Sequence, residues 1–302
     1  MRLALAGDTM LGRLVGEQLT KQPSEPVVSP AVAAACRDAD LFILNLECCI
    51  SDRGEPWPAP GKSFFFRAPP RAVETLVDLG VGCVTLANNH ALDFGAEALL
   101  DTLSHLDAAG IRHVGASDHP ADFAAAPDRP GIAFADLRSG VPTWLSDLVH
   151  DLASEVDVVL VTPHWGPNMT AEPISSVQRA AATLVEAGAA LIAGHSAHVF
   201  HGVEIPVLFD LGDFLDDYAV DPVLRNDLGL LWFVEVDAGG PVRVEALPLK
   251  LGYRYTDLAE GDEARWIRTR FRDVCAAMGT DVEDADHRQI VRFRQGHASL
   301  PK

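Results

Sequence analysis

The chain has 302 residues, 48% of them hydrophobic and 22% charged, with 24 basic against 43 acidic side chains and a formal net charge of −19. Such a composition supports a sizeable globular core. A field of that sign repels nucleic acid and anionic lipid, and it leaves a polyanionic substrate dependent on a local cation, which a bound metal supplies. The five cysteines are odd in number and include no C-x-x-C pair, so no disulfide framework is expected and a reducing compartment fits best. With a first strand from Arg2 there is no room for a signal peptide, and no apolar run is long enough to span a bilayer. The expectation is a soluble, cytoplasmic protein without a membrane anchor and with its oligomeric state open.

Arg2–Gly7 is a short apolar strand followed at once by Asp8. Helical spacing runs over Leu11–Leu19, prolines 23, 26 and 30 punctuate a loop, and Ala31–Asp38 is an Ala-rich helix. Asp40–Asn45 is a second buried strand, ending in Asn45-Leu46-Glu47. Residues 51–63 form a Pro- and Gly-rich loop, and Pro70 suits the first turn of a helix reaching Leu79. Val81–Ala87 is the third strand and runs into Asn88-Asn89-His90. Asp93–Ala109 has the apolar period of a helix and is stopped by Gly110.

Ile111–Val114 is a strand, 115–128 a loop, Gly131–Ala135 a strand and Pro142–Leu152 a helix. The β-branched run Val156–Thr162 ends in Pro163-His164-Trp165-Gly166. Helix Ser175–Ala187 closes at Gly188, strand Ala189–Gly194 ends in His195-Ser196-Ala197-His198, and strand Val207–Leu211 ends in Gly212-Asp213. A hairpin follows, Leu228–Val236 with Val242–Leu249. Residues 257–295 read as charged and helical without clear strands. The organisation expected is one main domain over 1–252 and a helical C-terminal extension over 253–302.

Strands alternating with helices imply a mainly parallel sheet. Such a sheet gathers its strand ends on one rim, where open α/β folds place ligands. Six ends carry Asp8, Glu47, Asn89-His90, His164, His195 with His198, and Asp213. Taken singly each has a bland reading: a turn, a helix cap, a surface carboxylate, a core histidine. Together, carboxylates, an amide and imidazoles on one rim suit a divalent transition metal such as Mn, Fe, Zn or Ni, and two ions about 3.5–4 Å apart clamp an in-line displacement at phosphorus.

The order of the motifs Gly7-Asp8-Thr9-Met10-Leu11-Gly12-Arg13, Asn45-Leu46-Glu47, Phe66-Arg67-Ala68-Pro69, Leu86-Ala87-Asn88-Asn89-His90-Ala91-Leu92-Asp93, His164-Trp165-Gly166 and Gly194-His195-x-x-His198 resembles the CapA-type proteins, named for capsule and poly-γ-glutamate synthesis, within the calcineurin-like metallophosphoesterase superfamily. The resemblance runs from Arg2 to Asp213 and weakens towards Leu251. It implies an α/β fold, a four-layer α/β/β/α sandwich of the metallophosphoesterase type. It also implies metal ligation by Asp8, Glu47, Asn89, His164, His195 and His198, with His90 as catalytic acid or orienting residue. Asp8 is followed by Thr9-Met10 where the superfamily has Asp-x-His, so the count of ions, one or two, stays open. Asp213 stands where many relatives have Asn, and relatives are commonly membrane-anchored, whereas no anchor is seen here.

On this reading the protein is a metal-dependent hydrolase of phosphoesterase type using a metal-activated water. His90 protonates the leaving group, Asp93 orients His90 or caps the next helix, and Arg67 binds a substrate phosphate or carboxylate. The competing readings are a metal-dependent amide or γ-glutamyl hydrolase in a peptide or small-molecule pathway, and a non-catalytic component of polymer synthesis.

Overall fold

The computed structural model describes residues 1–58, 61–117, 131–132 and 139–293. Its larger sheet is organised around the strand Arg2–Thr9. On one side Arg2–Thr9 pairs in parallel with Leu41–Leu46, which pairs with Val81–Thr85 and through it with Arg112–Val114. On the other side it pairs antiparallel with Leu228–Asp237, the first arm of a long hairpin with Gly240–Gly252. A smaller sheet holds Leu160–Val161, Leu191–Ala193, Val207–Leu208 and Val203–Glu204.

Side-chain alternation along the strands builds the layers. Leu3 and Leu5 point between the sheets, where they meet Leu191, Ala193, Leu208 and Trp232. The small Ala4 and Ala6 point the other way, letting helices Arg13–Lys21, Pro30–Arg37, Ala72–Asp78 and Gly95–Ala108 cover the outer face. Ile192 likewise turns outward from the smaller sheet, under helices Thr143–Glu155 and Ser175–Ala187. The result is a four-layer α/β/β/α sandwich, the fold the motifs imply.

Two features differ from the sequence reading. The tail is helical over Gly261–Ala277, but Glu283–Ala285 and Arg288–Arg292 are strands, and the latter extends the larger sheet by pairing with the hairpin arm Gly240–Gly252. Charged residues hide the period of that strand, which lies between Gly240–Gly252 and the edge strand Glu283–Ala285, because Ile290 and Val291 alone supply its buried apolar surface. The tail helix turns Ile267, Phe271 and Cys275, one turn apart, into the layer between the sheets, with Phe271 edge-on to Trp232 at 5.4 Å. Secondly, the motif-bearing strand ends do not share one rim: they come from two sheets stacked face to face. Of the expected strand Gly131–Ala135, Gly131–Ile132 pairs with Ala116–Ser117. Residues 133–135, loop residues 118–128, His119 and His297 lie outside the described residues.

Candidate metal centre

Asp8 owes its position to a defect in its own strand. The pairing with Leu41–Leu46 shifts register between Ala6 and Asp8, and the pairing with Asp213–Leu215 shifts between Asp8 and Thr9. Bulges re-aim side chains next to sites. Gly7 permits this one, since a Cβ there would come within 1.9 Å of Gly212 O. Asp8 thus ends 1% exposed, with Asn45 Nδ2 donating to its Oδ1 at 2.6 Å.

The smaller sheet brings two imidazoles to it. His164 and His195 form a parallel bridge just beyond the sheet, with Trp165 N donating to His195 O and His195 N to Pro163 O. Gly194 lets the Trp165 indole pass at this point, donating to Phe209 O at 2.8 Å; a Cβ on residue 194 would lie 2.3 Å from that nitrogen. The two Nδ1 atoms stand 2.8 Å apart, and they are 3.9 Å (His164) and 3.7 Å (His195) from Asp8 Oδ1.

On the other side of Asp8, His198 Nδ1 lies 3.3 Å from Oδ2 and 2.8 Å from Asp213 Oδ1, while Glu47 Oε1 lies 3.7 Å from His164 Nε2. Two triads therefore share Asp8: Asp8 with His164 and His195, and Asp8 with Glu47 and His198. The loop carrying the last two histidines holds Ser196 at φ 119° and His198 at φ 61°, left-handed conformations that non-glycine residues keep where function is served. Asp210 clamps that loop, accepting from Ala197 N at 2.8 Å and from Gly212 N at 2.9 Å.

The electrostatics call for a cation. Burial, then the charge of Asp8, pushes the Glu47 carboxyl well above its ordinary range. Asp210 is raised well above its range by the same two causes, and Asp213 by burial and then Asp216 and Asp8. Burial lifts Asp216 to about 6. Burial holds His164 well below its usual value and His195 at about 4. For His198 burial works against the charged form, but Glu47, Asp8, Asp210 and Asp216 outweigh it and raise its pKa. Asp8 Oδ2, Glu47 Oε1 and Asp213 Oδ2 are buried and make no hydrogen bond among the described residues. Buried polar atoms are rarely left so, and a bound ion is a standard explanation. The donor set of imidazole and carboxylate fits a divalent transition metal.

A second constellation adjoins the first. His90 Nδ1 meets Asp93 Oδ2 at 2.7 Å, and His90 Nε2 faces Glu47 Oε1 at 4.0 Å. Phe66 stacks on the His90 ring at 4.0 Å. Asp93 also accepts from Phe66 N and is paired with Lys62 at 2.6 Å, so it orients the imidazole instead of capping the following helix, whose cap position is Phe94.

Of the residues singled out in the sequence, the structure brings together Asp8, Glu47, His164, His195, His198, His90 and Asp93. The adjacent amides divide differently. Asn88 is the buried one, donating to Asn45 Oδ1 and Leu46 O and accepting from His90 N and Ala91 N. Asn89 is exposed, and its carbonyl accepts from Lys62. Arg67 donates to Arg53 O and Gly54 O and lies 4.2 Å over the Phe94 ring, so its described contacts are with the loop and not with the histidines and carboxylates.

Asn45, Asn88, Asp210, Asp216 and Tyr218, whose hydroxyl reaches Glu47 Oε2 at 3.4 Å, were missed. For the aspartates a signal existed: Asp210, Asp213 and Asp216 recur every third residue inside the apolar run Phe209–Tyr218. Carboxylates spaced so among buried residues need partners. Asn45 and Asn88 stand inside the quoted motifs with no role assigned to them, and Tyr218 left no mark.

The model of the family described as bacterial capsule synthesis protein PGA_cap matches residues 2–127 and 120–218. A "Probable polyglutamine synthesis accessory protein" of Mycobacterium tuberculosis is 28% identical over 295 residues, covering 80% of this chain and 74% of that protein. The "PGA biosynthesis protein CapA" of Bacillus subtilis is 25% identical over 245 residues, 71% of this chain and 63% of the relative. The "Capsule biosynthesis protein CapA" of Bacillus anthracis is 23% identical over 252 residues, 72% and 60%. No described helix is long and apolar enough to cross a membrane.

Proposed function

This chain belongs to the PGA_cap family of bacterial capsule synthesis proteins, and from that premise we propose that it is a metal-dependent hydrolase of phosphoesterase type. The observation that carries the reading is the sharing of Asp8 between two buried triads of ligating atoms. Asp8, His164 and His195 would hold one divalent ion, and Asp8, Glu47 and His198 a second. When bound, such ions supply Lewis acidity and lower the pKa of water.

The chain's own residues do the rest. Asp93, fixed by Lys62 and by Phe66 N, holds His90 Nδ1 and so leaves Nε2 as the atom that carries a proton to a leaving oxygen. Phe66 and Tyr218, 5.7 Å apart, wall the His90 side of the centre and limit water there. Asn45 and Asp213 steady Asp8 and His198 from behind, the positions that tune first-contact ligands. Five free cysteines, four of them buried, fit a reducing compartment, the cytoplasm.

The names of the relatives favour a second reading, an accessory role in polymer assembly with metal held for structure. An aryl phosphate and a γ-glutamyl anilide, each assayed with added manganese, separate the two. Turnover of the phosphate supports the first reading, and turnover of the anilide alone moves the bond to an amide. Stoichiometric metal with neither activity leaves the accessory role.

A further inference from the structure

The first motif ends in Gly12-Arg13, and the centre makes no use of either. Arg13 sits at φ 49°, a left-handed conformation that its surroundings must impose. Gly12 lies against the Arg67 backbone so closely that a Cβ would come within 2.9 Å of Arg67 O. The buried Asp217 accepts from Leu14 N at 3.0 Å and stands 3.3 Å from Arg13 Nε. One carboxylate thus caps the helix and braces the arginine through Nε. The Arg13 side chain makes no hydrogen bond among the described residues, its one ion pair is with Asp217, and it is 37% exposed.

The guanidinium reaches the aromatic wall of the centre. Its carbon is 5.8 Å from the Phe66 ring and 6.0 Å from the Phe64 ring, and Phe66 is the ring stacked on His90. Arg13 and Arg67 both line an open cavity of about 270 Å³. Of the other charges on its wall, Glu17 and Lys21 satisfy each other at 2.7 Å, which leaves Asp52, and Asp217 behind Arg13, against two arginines. In a chain of net charge −19 this wall carries no excess of negative charge. A guanidinium fork without a hydrogen bond of its own matches two oxygens of a carboxylate or phosphate, a match that a lysine ammonium does not reproduce.

We propose that Arg13 and this cavity form an oxyanion-binding subsite beside the metal centre, taking a carboxylate or phosphate of a ligand whose other end lies towards His90. Only the direction of that ligand rests on the hydrolase reading. The test is calorimetric titration of the full-length protein, once manganese-loaded and once stripped by chelator, with N-acetylglutamate and separately with inorganic phosphate. The stripped wild type binds at least one probe, and the preferred probe names the source of the oxyanion. Arg13→Gln weakens that binding about 10-fold or more, equivalent to about 1.4 kcal/mol. Arg13→Lys keeps the charge opposite Asp217 and loses the fork, so it falls in between and carries the test if Arg13→Gln does not fold. Wild-type protein that binds neither probe when stripped, or a folded Arg13 variant that binds like wild type, overturns the subsite. Metal content and aryl phosphate turnover on the same samples keep the two readings apart. Probe binding through Arg13 in a chain that holds no metal keeps the subsite and sinks the hydrolase.

Discussion

Replacing Asp8 by Asn should move metal affinity and metal-free stability in opposite directions. The side chain keeps its size, and its amide oxygen can still accept from Asn45 Nδ2, now at 2.6 Å from Asp8 Oδ1. What goes is one negative charge from both triads at once. Loss of even an outer-shell partner typically lowers metal affinity about 10–100-fold, so a shared direct ligand should cost at least that for each ion. The same charge raises the carboxyls of Glu47, Asp210 and Asp213. Its removal relieves them, by about 1.4 kcal/mol for each pKa unit recovered. For a chain of this size that is roughly 2–4 °C in Tm per unit. The assay is elemental analysis after manganese loading, with thermal melts in chelator alongside. Unchanged metal content in Asp8→Asn would refute the shared-ligand geometry. A lower metal-free Tm would show that the buried carboxylates do not repel one another as argued.

The metal-stripped protein should lose stability as pH rises above 7. His198, raised from its ordinary value of 6.5, keeps its proton above that pH in the folded state when the unfolded chain has released it; Glu47, Asp210 and Asp213, raised from ordinary carboxyl values, act in the same direction, and the depressed His164 and His195 oppose this only below about 6.5. The slope is about 1.4 kcal/mol per pH unit for each such proton; melts in chelator at pH 7 and 8.5 check it, and a flat or rising Tm speaks against it. His90→Ala should leave metal content intact and slow an aryl phosphate with a poor leaving group by ~10²–10⁴-fold, with a much smaller loss on one whose leaving group is already a weak base. Equal losses on both would assign the imidazole to binding. Deleting residues 253–302 should give an aggregating or unfolded chain, since it strips Phe271 from Trp232 and uncovers the inter-sheet layer; a monomeric truncation with wild-type Tm would show the tail to be dispensable.

Local order in the chain was enough for most of the layers. The Leu3/Leu5 and Ala4/Ala6 alternation, the helical spacing of Gly95–Ala108 and the Gly188 stop are properties of adjacent residues, and they survive into the structure. The donor types of the centre were equally legible, because carboxylates and imidazoles recurring after six apolar runs point to one chemistry that none of them indicates singly. The strand Arg288–Arg292 was not legible: its polar side chains make ion pairs with Glu245 and Glu283, and its apolar residues have a period only beside the neighbouring strand.

The sequence by itself determined which groups can ligate and in what order they arrive, since chemistry resides in side chains and motif spacing in the backbone. Which of them meet was decided only in three dimensions. Asp8 faces His164 and His195 because two sheets stack and a bulge at Gly7 turns the carboxylate between them, contacts between residues more than 150 positions apart that no local pattern encodes. The same packing buries Asn88 and leaves Asn89 outside, a distinction between identical neighbours that depends on where Asn45 stands across the sheet.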